Sequence, residues 1–100
     1  MQNTKNTPLR VAMGGLGAVG LPVVEWLDSG EEPGLQLVAV SAGDKERAAG
    51  RLAYLKTPPP VMELAELAAV ADVIVECAPP EHFLDVCGPA VEQGRILVPL

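Results

Sequence analysis

The sequence predicts an α/β domain, a doubly wound parallel sheet of about five strands, and three observations carry that prediction. Short aliphatic runs alternate with longer amphipathic ones, the pattern of parallel strands joined by helices on the faces of a sheet. A glycine-rich turn, Gly15-Leu16-Gly17-Ala18-Val19-Gly20, separates the first aliphatic run from the first amphipathic one. Hydrophobic residues make up 49% of the chain and aromatic ones only 3%, so the core should be aliphatic and alanine-rich, which suits helices lying close on a sheet.

The first strand is Leu9 to Met13, ending in Gly14-Gly15. A helix follows from about Ala18 to Asp28, with Val19, Val23, Trp26 and Leu27 recurring as one apolar stripe. With Val19 as its first residue, Pro22 is the fourth, where a missing N–H has no helical partner to lose. Ser29-Gly30 ends the helix, and a charged turn leads into a second strand, Leu35 to Ser41. Asp44 can cap a helix reaching about Tyr54, and Thr57 with Pro58 to Pro60 reads as a stiff extended connector. A short third strand at Val61-Met62 precedes a short helix marked by Leu64, Leu67, Ala68 and Ala71, and Asp72 to Cys77 forms the fourth strand. Ala78-Pro79-Pro80 opens the last helix, with Phe83, Val86, Cys87, Ala90 and Val91 on one face, a kink at Pro89 and an end at Gly94. Ile96 to Leu100 is the fifth strand. Right-handed crossovers then give the order 3-2-1-4-5, with a binding crevice between strands 1 and 4 where the winding reverses.

Composition excludes several classes of partner. The net charge of −6 leaves no basic face for phosphates, which argues against nucleic acid and anionic membranes and leaves a small molecule as the default. No apolar run approaches the ~18 residues of a membrane span. Residues 1–8 are a polar leader rather than a signal segment, and two cysteines make no disulfide framework, so a cytoplasmic protein is expected. Residues 9–100 form one domain, short of a two-domain enzyme, and no helix follows the last strand to cover it. The expectation is a single domain that is incomplete at its C-terminus.

The chemistry resides in the glycine turn. Gly15 permits a sharp turn, Gly17 lets backbone approach a diphosphate and Gly20 lets the helix lie close on the strand, while the helix N-terminus meets the anion. Placed between strand and helix, the motif predicts a Rossmann-like dinucleotide site formed by Gly15, Leu16, Gly17, Ala18, Val19 and Gly20. A P-loop lysine is missing. The acidic residue that would hold the adenine ribose at the end of strand 2 is replaced by Ser41, followed by Ala42. Asp44 comes late and serves equally as a helix cap, while Lys45 and Arg47 could reach a 2′-phosphate, so NAD and NADP both stay open, with a slight lean to dual use. Cys77, Ala78 and Pro79 form the other lip of the crevice, where small residues would let the nicotinamide ribose lie against backbone. Glu76, in a strand covered on both faces, reads as a buried brace ahead of a direct cofactor or substrate role. Cys77, His82 and Cys87 at intervals of five make no metal site, and both cysteines read as core or crevice wall.

Four stretches together resemble the N-terminal part of L-aspartate dehydrogenases, within the wider homoserine dehydrogenase-like group: Arg10 to Pro22, Leu37 to Ser41, Ala71 to Pro79 with its Glu-Cys-Ala-Pro run, and Gly94 to Pro99. The resemblance covers nearly the whole chain after Pro8. It implies NAD(P)-linked oxidation of L-aspartate to iminoaspartate, a precursor for NAD biosynthesis, in a full-length form expected to be a homodimer. It also implies a catalytic histidine in a C-terminal domain, which no position here matches, so no catalytic residue is assigned and the chain alone should be inactive. Homoserine dehydrogenase, dihydrodipicolinate reductase and a stand-alone nucleotide-binding module remain the alternatives.

Overall fold

Strand β1 (Leu9–Gly14) is covered on both faces, because successive side chains point to opposite sides of a sheet and Val11, Ala12 and Met13 are all buried. The computed structural model describes residues 7–77 and 83–100, the side chains of residues 17–19 and 83 excepted. Around β1 the chain runs α1 (Gly17–Ser29), β2 (Leu35–Ser41), α2 (Lys45–Leu52) and β3 (Val61–Met62). A 3-10 turn (Leu64–Glu66) then leads into α3 (Leu67–Val70), β4 (Val73–Glu76), α4 (Phe83–Glu92) and β5 (Ile96–Pro99). The five strands pair in parallel in the order β3-β2-β1-β4-β5, as the crossover rule requires. Val11 and Met13 pack with Val24, Leu27 and Leu52 of α1 and α2, whereas Ala12 packs with Leu67, Ile74, Val86 and Ala90 on the side of α3 and α4. The sheet is therefore doubly wound and its core aliphatic, with Trp26 and Tyr54 both at the surface.

One register feature was invisible in the sequence. Val11 pairs with Leu37, but Ala12 pairs with Ala39, so one residue of β2 is skipped between them. Because the side-chain period of a strand is two, this slip sets the faces of everything after it: Val40 lies beside Met13 and Ser41 beside Gly14. Without it Val40 would stand beside Gly14 and Ser41 would miss the edge of β1.

Several expected details are corrected. In α1 the buried line runs through Gly20, Val24 and Leu27, and Trp26 is 43% exposed, because the closest approach of helix to sheet occurs at Gly20 and rotates the stripe away from Trp26. Helix α1 starts at Gly17, so Pro22 is its sixth residue; it is tolerated on the exposed side, where solvent can serve the carbonyl it leaves unpaired. Helix α2 stops at Leu52, and Tyr54 instead donates its hydroxyl to Glu25 of α1. On α4, Val86, Cys87 and Ala90 are buried but Val91 is 72% exposed, since the face that meets the sheet is centred on Val86, which lies over Gly14. Helix α4 continues through Pro89; its expected opening at Ala78-Pro79-Pro80 lies outside the described residues.

Strand β4 is shorter than expected, and Asp72 lies before it with its carboxylate clamped by Arg10: the backbone N–H donates to Oδ2 at 2.9 Å, Nε to Oδ2 at 3.2 Å and Nη2 to Oδ1 at 3.0 Å. These side-chain and backbone hydrogen bonds pull the Asp72 pKa down to about 2. A carboxylate with a depressed folded-state pKa stabilises the fold above the ordinary carboxylate range and loses that contribution as pH falls toward about 2. Both partners are partly exposed, so the effect is modest. Asp72→Asn should lower the Tm by a few degrees or less at pH 7, with the gap to the wild type closing between about pH 4 and pH 2, as followed by circular dichroism.

Candidate functional site

The carboxyl ends of the five strands carry the features that could meet a ligand, as in other open parallel sheets. Met62, Ser41, Gly14, Glu76 and Pro99 stand side by side there in register. After Gly14 the chain turns at Gly15, whose φ of 107° is a conformation that only glycine adopts without strain. Leu16 then takes the N-cap position of α1 with no side-chain hydrogen bond, and no acidic residue occupies the first turn. The first N–H groups of a 13-residue helix are thus left to solvent or to an anion. The side chain of Leu16 points the other way, into the core between the sheet and α1; only its backbone is available at the turn.

Cys77 holds this turn from the next strand. Its backbone N–H donates to the Gly14 carbonyl at 3.0 Å and its thiol to the Gly15 carbonyl at 3.1 Å. A Cβ added at Gly20 would sit 2.9 Å from the same Sγ, so α1 approaches β4 as closely as a thiol allows. Burial, with a smaller contribution from the charge of Glu76, pushes the Cys77 thiol up to about 11, so it is a neutral hydrogen-bond donor rather than a nucleophile at physiological pH. The buried Cys87 is raised for the same reasons in the same order. Glu76 itself is buried, as its strand position requires.

Beside the turn lies a cavity of about 530 Å³, lined by Gly15, Ser41, Ala42, Gly43, Glu63, Leu64, Ala65, Leu84, Asp85 and Pro89. Its size is that of a small-molecule site, with mostly apolar walls and a few polar groups. Of the residues singled out in the sequence, Gly15, Ser41 and Ala42 come together here, and Ser41 is buried at the end of β2. Leu16, Gly20 and Cys77 form the packing beneath the turn and do not line the cavity. The side chains of Gly17, Ala18 and Val19, and all of Ala78, Pro79 and His82, lie outside what is described. Asp44 is committed to α2: its Oδ1 accepts the Arg47 N–H at 3.0 Å. Sequence reasoning missed Glu63, Leu64 and Ala65 after β3, and Leu84 and Asp85 on α4, because no local motif marks them; only the parallel pairing of β3 with β2 and the docking of α4 bring them to the cavity.

A doubly wound parallel sheet with a glycine turn leading into an open helix N-terminus, beside a cavity at the strand ends, defines a Rossmann-like domain. The chain belongs to the homoserine dehydrogenase NAD-binding domain family, whose profile matches residues 15–100. It is 39% identical over 95 residues to an L-aspartate dehydrogenase of Bradyrhizobium diazoefficiens, covering 95% of this chain and 33% of that protein. It is 38% identical over 92 residues to L-aspartate dehydrogenase 3 of Bordetella bronchiseptica, covering 92% of this chain and 34% of that protein. The chain therefore spans about a third of the length of the curated relatives it matches. In fold it is similar to saccharopine dehydrogenase from Saccharomyces cerevisiae, with a TM-score of 0.73 at 18% identity over 91% of this chain and 21% of that one. Among the described residues no helix is long and apolar enough to cross a membrane.

The contact between Gly20 and Cys77 sets up a double-mutant test. Gly20→Ala should destabilise the fold by about 1–2 kcal/mol, because the added methyl displaces the thiol from the Gly15 carbonyl. In a Cys77→Ala background the same change should be neutral or stabilising by up to about 1 kcal/mol, because the better helix former no longer meets sulfur. Urea unfolding of the four proteins reads both signs.

Proposed function

We propose that this chain is the nicotinamide-dinucleotide-binding part of an L-aspartate dehydrogenase-like oxidoreductase. The observation that carries the reading is the uncapped N-terminus of α1, which opens from a positive-φ Gly15 beside a ligand-sized cavity at the carboxyl end of a parallel sheet. The identity to L-aspartate dehydrogenases over nearly the whole chain supports the substrate.

In this reading the first-turn N–H groups and the α1 dipole hold the diphosphate of NAD or NADP, and the backbone around Gly17 lies against it. The cavity lined by Ser41, Ala42, Gly43, Leu84 and Asp85 would take the adenosine half. Cys77, at the end of β4, would lie toward the nicotinamide half. The bound cofactor supplies hydride acceptance; this chain's residues bind and orient it and keep the thiol of Cys77 neutral beside it. In this reading substrate recognition and proton transfer fall to the part of the relatives' length, about two thirds, that this chain does not match. The proposed reaction is the oxidation of L-aspartate to iminoaspartate, feeding NAD biosynthesis, by a cytoplasmic homodimer.

Gly17→Val should weaken NADH binding at least about tenfold, because a branched side chain blocks approach of the diphosphate; unchanged affinity in a fluorescence titration would remove the glycine turn from the site. The full-length enzyme should reduce the cofactor with L-aspartate and not with homoserine, and the reverse preference in a spectrophotometric assay would reassign the substrate.

A further inference from the structure

The carboxylate expected at the end of β2 is missing, yet the cavity holds one a strand away. Ser41 and Met62, the last residues of β2 and β3, pair in register, so the residues that follow them, Ala42 and Glu63, leave the sheet at the same carboxyl edge. Both line the cavity, together with Gly43, where an added Cβ would meet open space. Glu63 is anchored locally: its N–H donates to Glu66 Oε1 at 3.1 Å and its carbonyl accepts the Glu66 N–H at 3.0 Å. Its carboxylate is bridged by Lys45, the first residue of α2, at 2.5 Å between Nζ and Oε2.

Resting on the reading of this cavity as the adenosine site of a dinucleotide, we propose that Glu63, held by Lys45, is the group that reads the adenosine ribose, accepting its 2′-hydroxyl and disfavouring a 2′-phosphate. The chemistry follows from what stands in the cavity. A carboxylate accepts a hydrogen bond from a hydroxyl but repels a phosphate dianion placed at the same point. Lys45 does not itself line the cavity, and its charge is already engaged by Glu63, which together with Glu66 holds its pKa above the usual lysine value. Arg47, the other basic residue that could serve a 2′-phosphate, does not line the cavity, whereas a second carboxylate, Asp85, does. The determinant of cofactor choice thus comes from the loop after β3 rather than from the end of β2, and it makes the site selective for NAD(H).

The test compares NADH and NADPH dissociation constants at low ionic strength for the wild type, Glu63→Gln, and Glu63→Gln combined with Lys45→Ala, with circular dichroism confirming that each is folded. The wild type should bind NADH about tenfold or more tighter than NADPH. Glu63→Gln should bring the two close to parity, mainly through tighter NADPH binding to the released Lys45, and the added Lys45→Ala should cancel that gain. Equal wild-type affinities, an unchanged ratio in Glu63→Gln, or a gain that survives loss of Lys45 would each overturn the proposal while leaving the dinucleotide site intact. A folded wild type that binds neither nucleotide would instead overturn the reading of the cavity, and this inference with it.

Discussion

The contact on which the arrangement depends is the close approach of α1 to the sheet at Gly20, where the helix meets the thiol of Cys77. That approach places the N-terminus of α1 directly after the turn at Gly15, and the same thiol donates to the Gly15 carbonyl. A side chain at position 20 would lift the helix or dislodge the sulfur. It also orients the rest of the helix. With Gly20 nearest the sheet, Val24 and Leu27 fall inward and Trp26 outward.

The second constraint is the skipped residue in β2. Parallel strands share faces in register, so one extra residue between Leu37 and Ala39 exchanges the two faces of everything after it. Its effect is local in the chain but decisive for the cavity, since it sets Ser41 beside Gly14 and carries Ala42 and Gly43 to the rim. Asp28 contributes from a distance by accepting the N–H groups of Lys56 and Thr57, which ties the start of the proline connector to the end of α1. The carbonyl of Pro60, at the connector's other end, accepts the Val40 N–H, and β3 starts at the next residue.

Much of this was legible beforehand for physical reasons. Strands buried on both faces read as aliphatic runs, and their right-handed crossovers leave little choice of strand order. Gly15 was legible because a sharp turn between strand and helix needs a positive φ, and Asp44 because a side chain that can cap precedes an amphipathic run. Helix faces were less legible. Trp26 and Val91 are apolar and fall at helical spacing, but spacing defines a stripe only to within one residue, and the partner surface chooses which edge of it is buried. Glu63 and Leu84 were not legible as site residues at all, for each sits in an ordinary charged or apolar context and gains its meaning from a neighbour distant in sequence.

What the sequence determined alone was the class of fold, the order of the strands, the glycine turn and the aliphatic character of the core, because these follow from local periodicity, local backbone requirements and chirality. What only the tertiary structure decided was the register of β2 against β1, the rotation of α1 and α4 on the sheet, and the arrival of Glu63, just after β3, at the cavity wall. Those depend on contacts between residues far apart in the chain, where a shift of one residue changes which side chain faces a ligand and barely changes the local pattern.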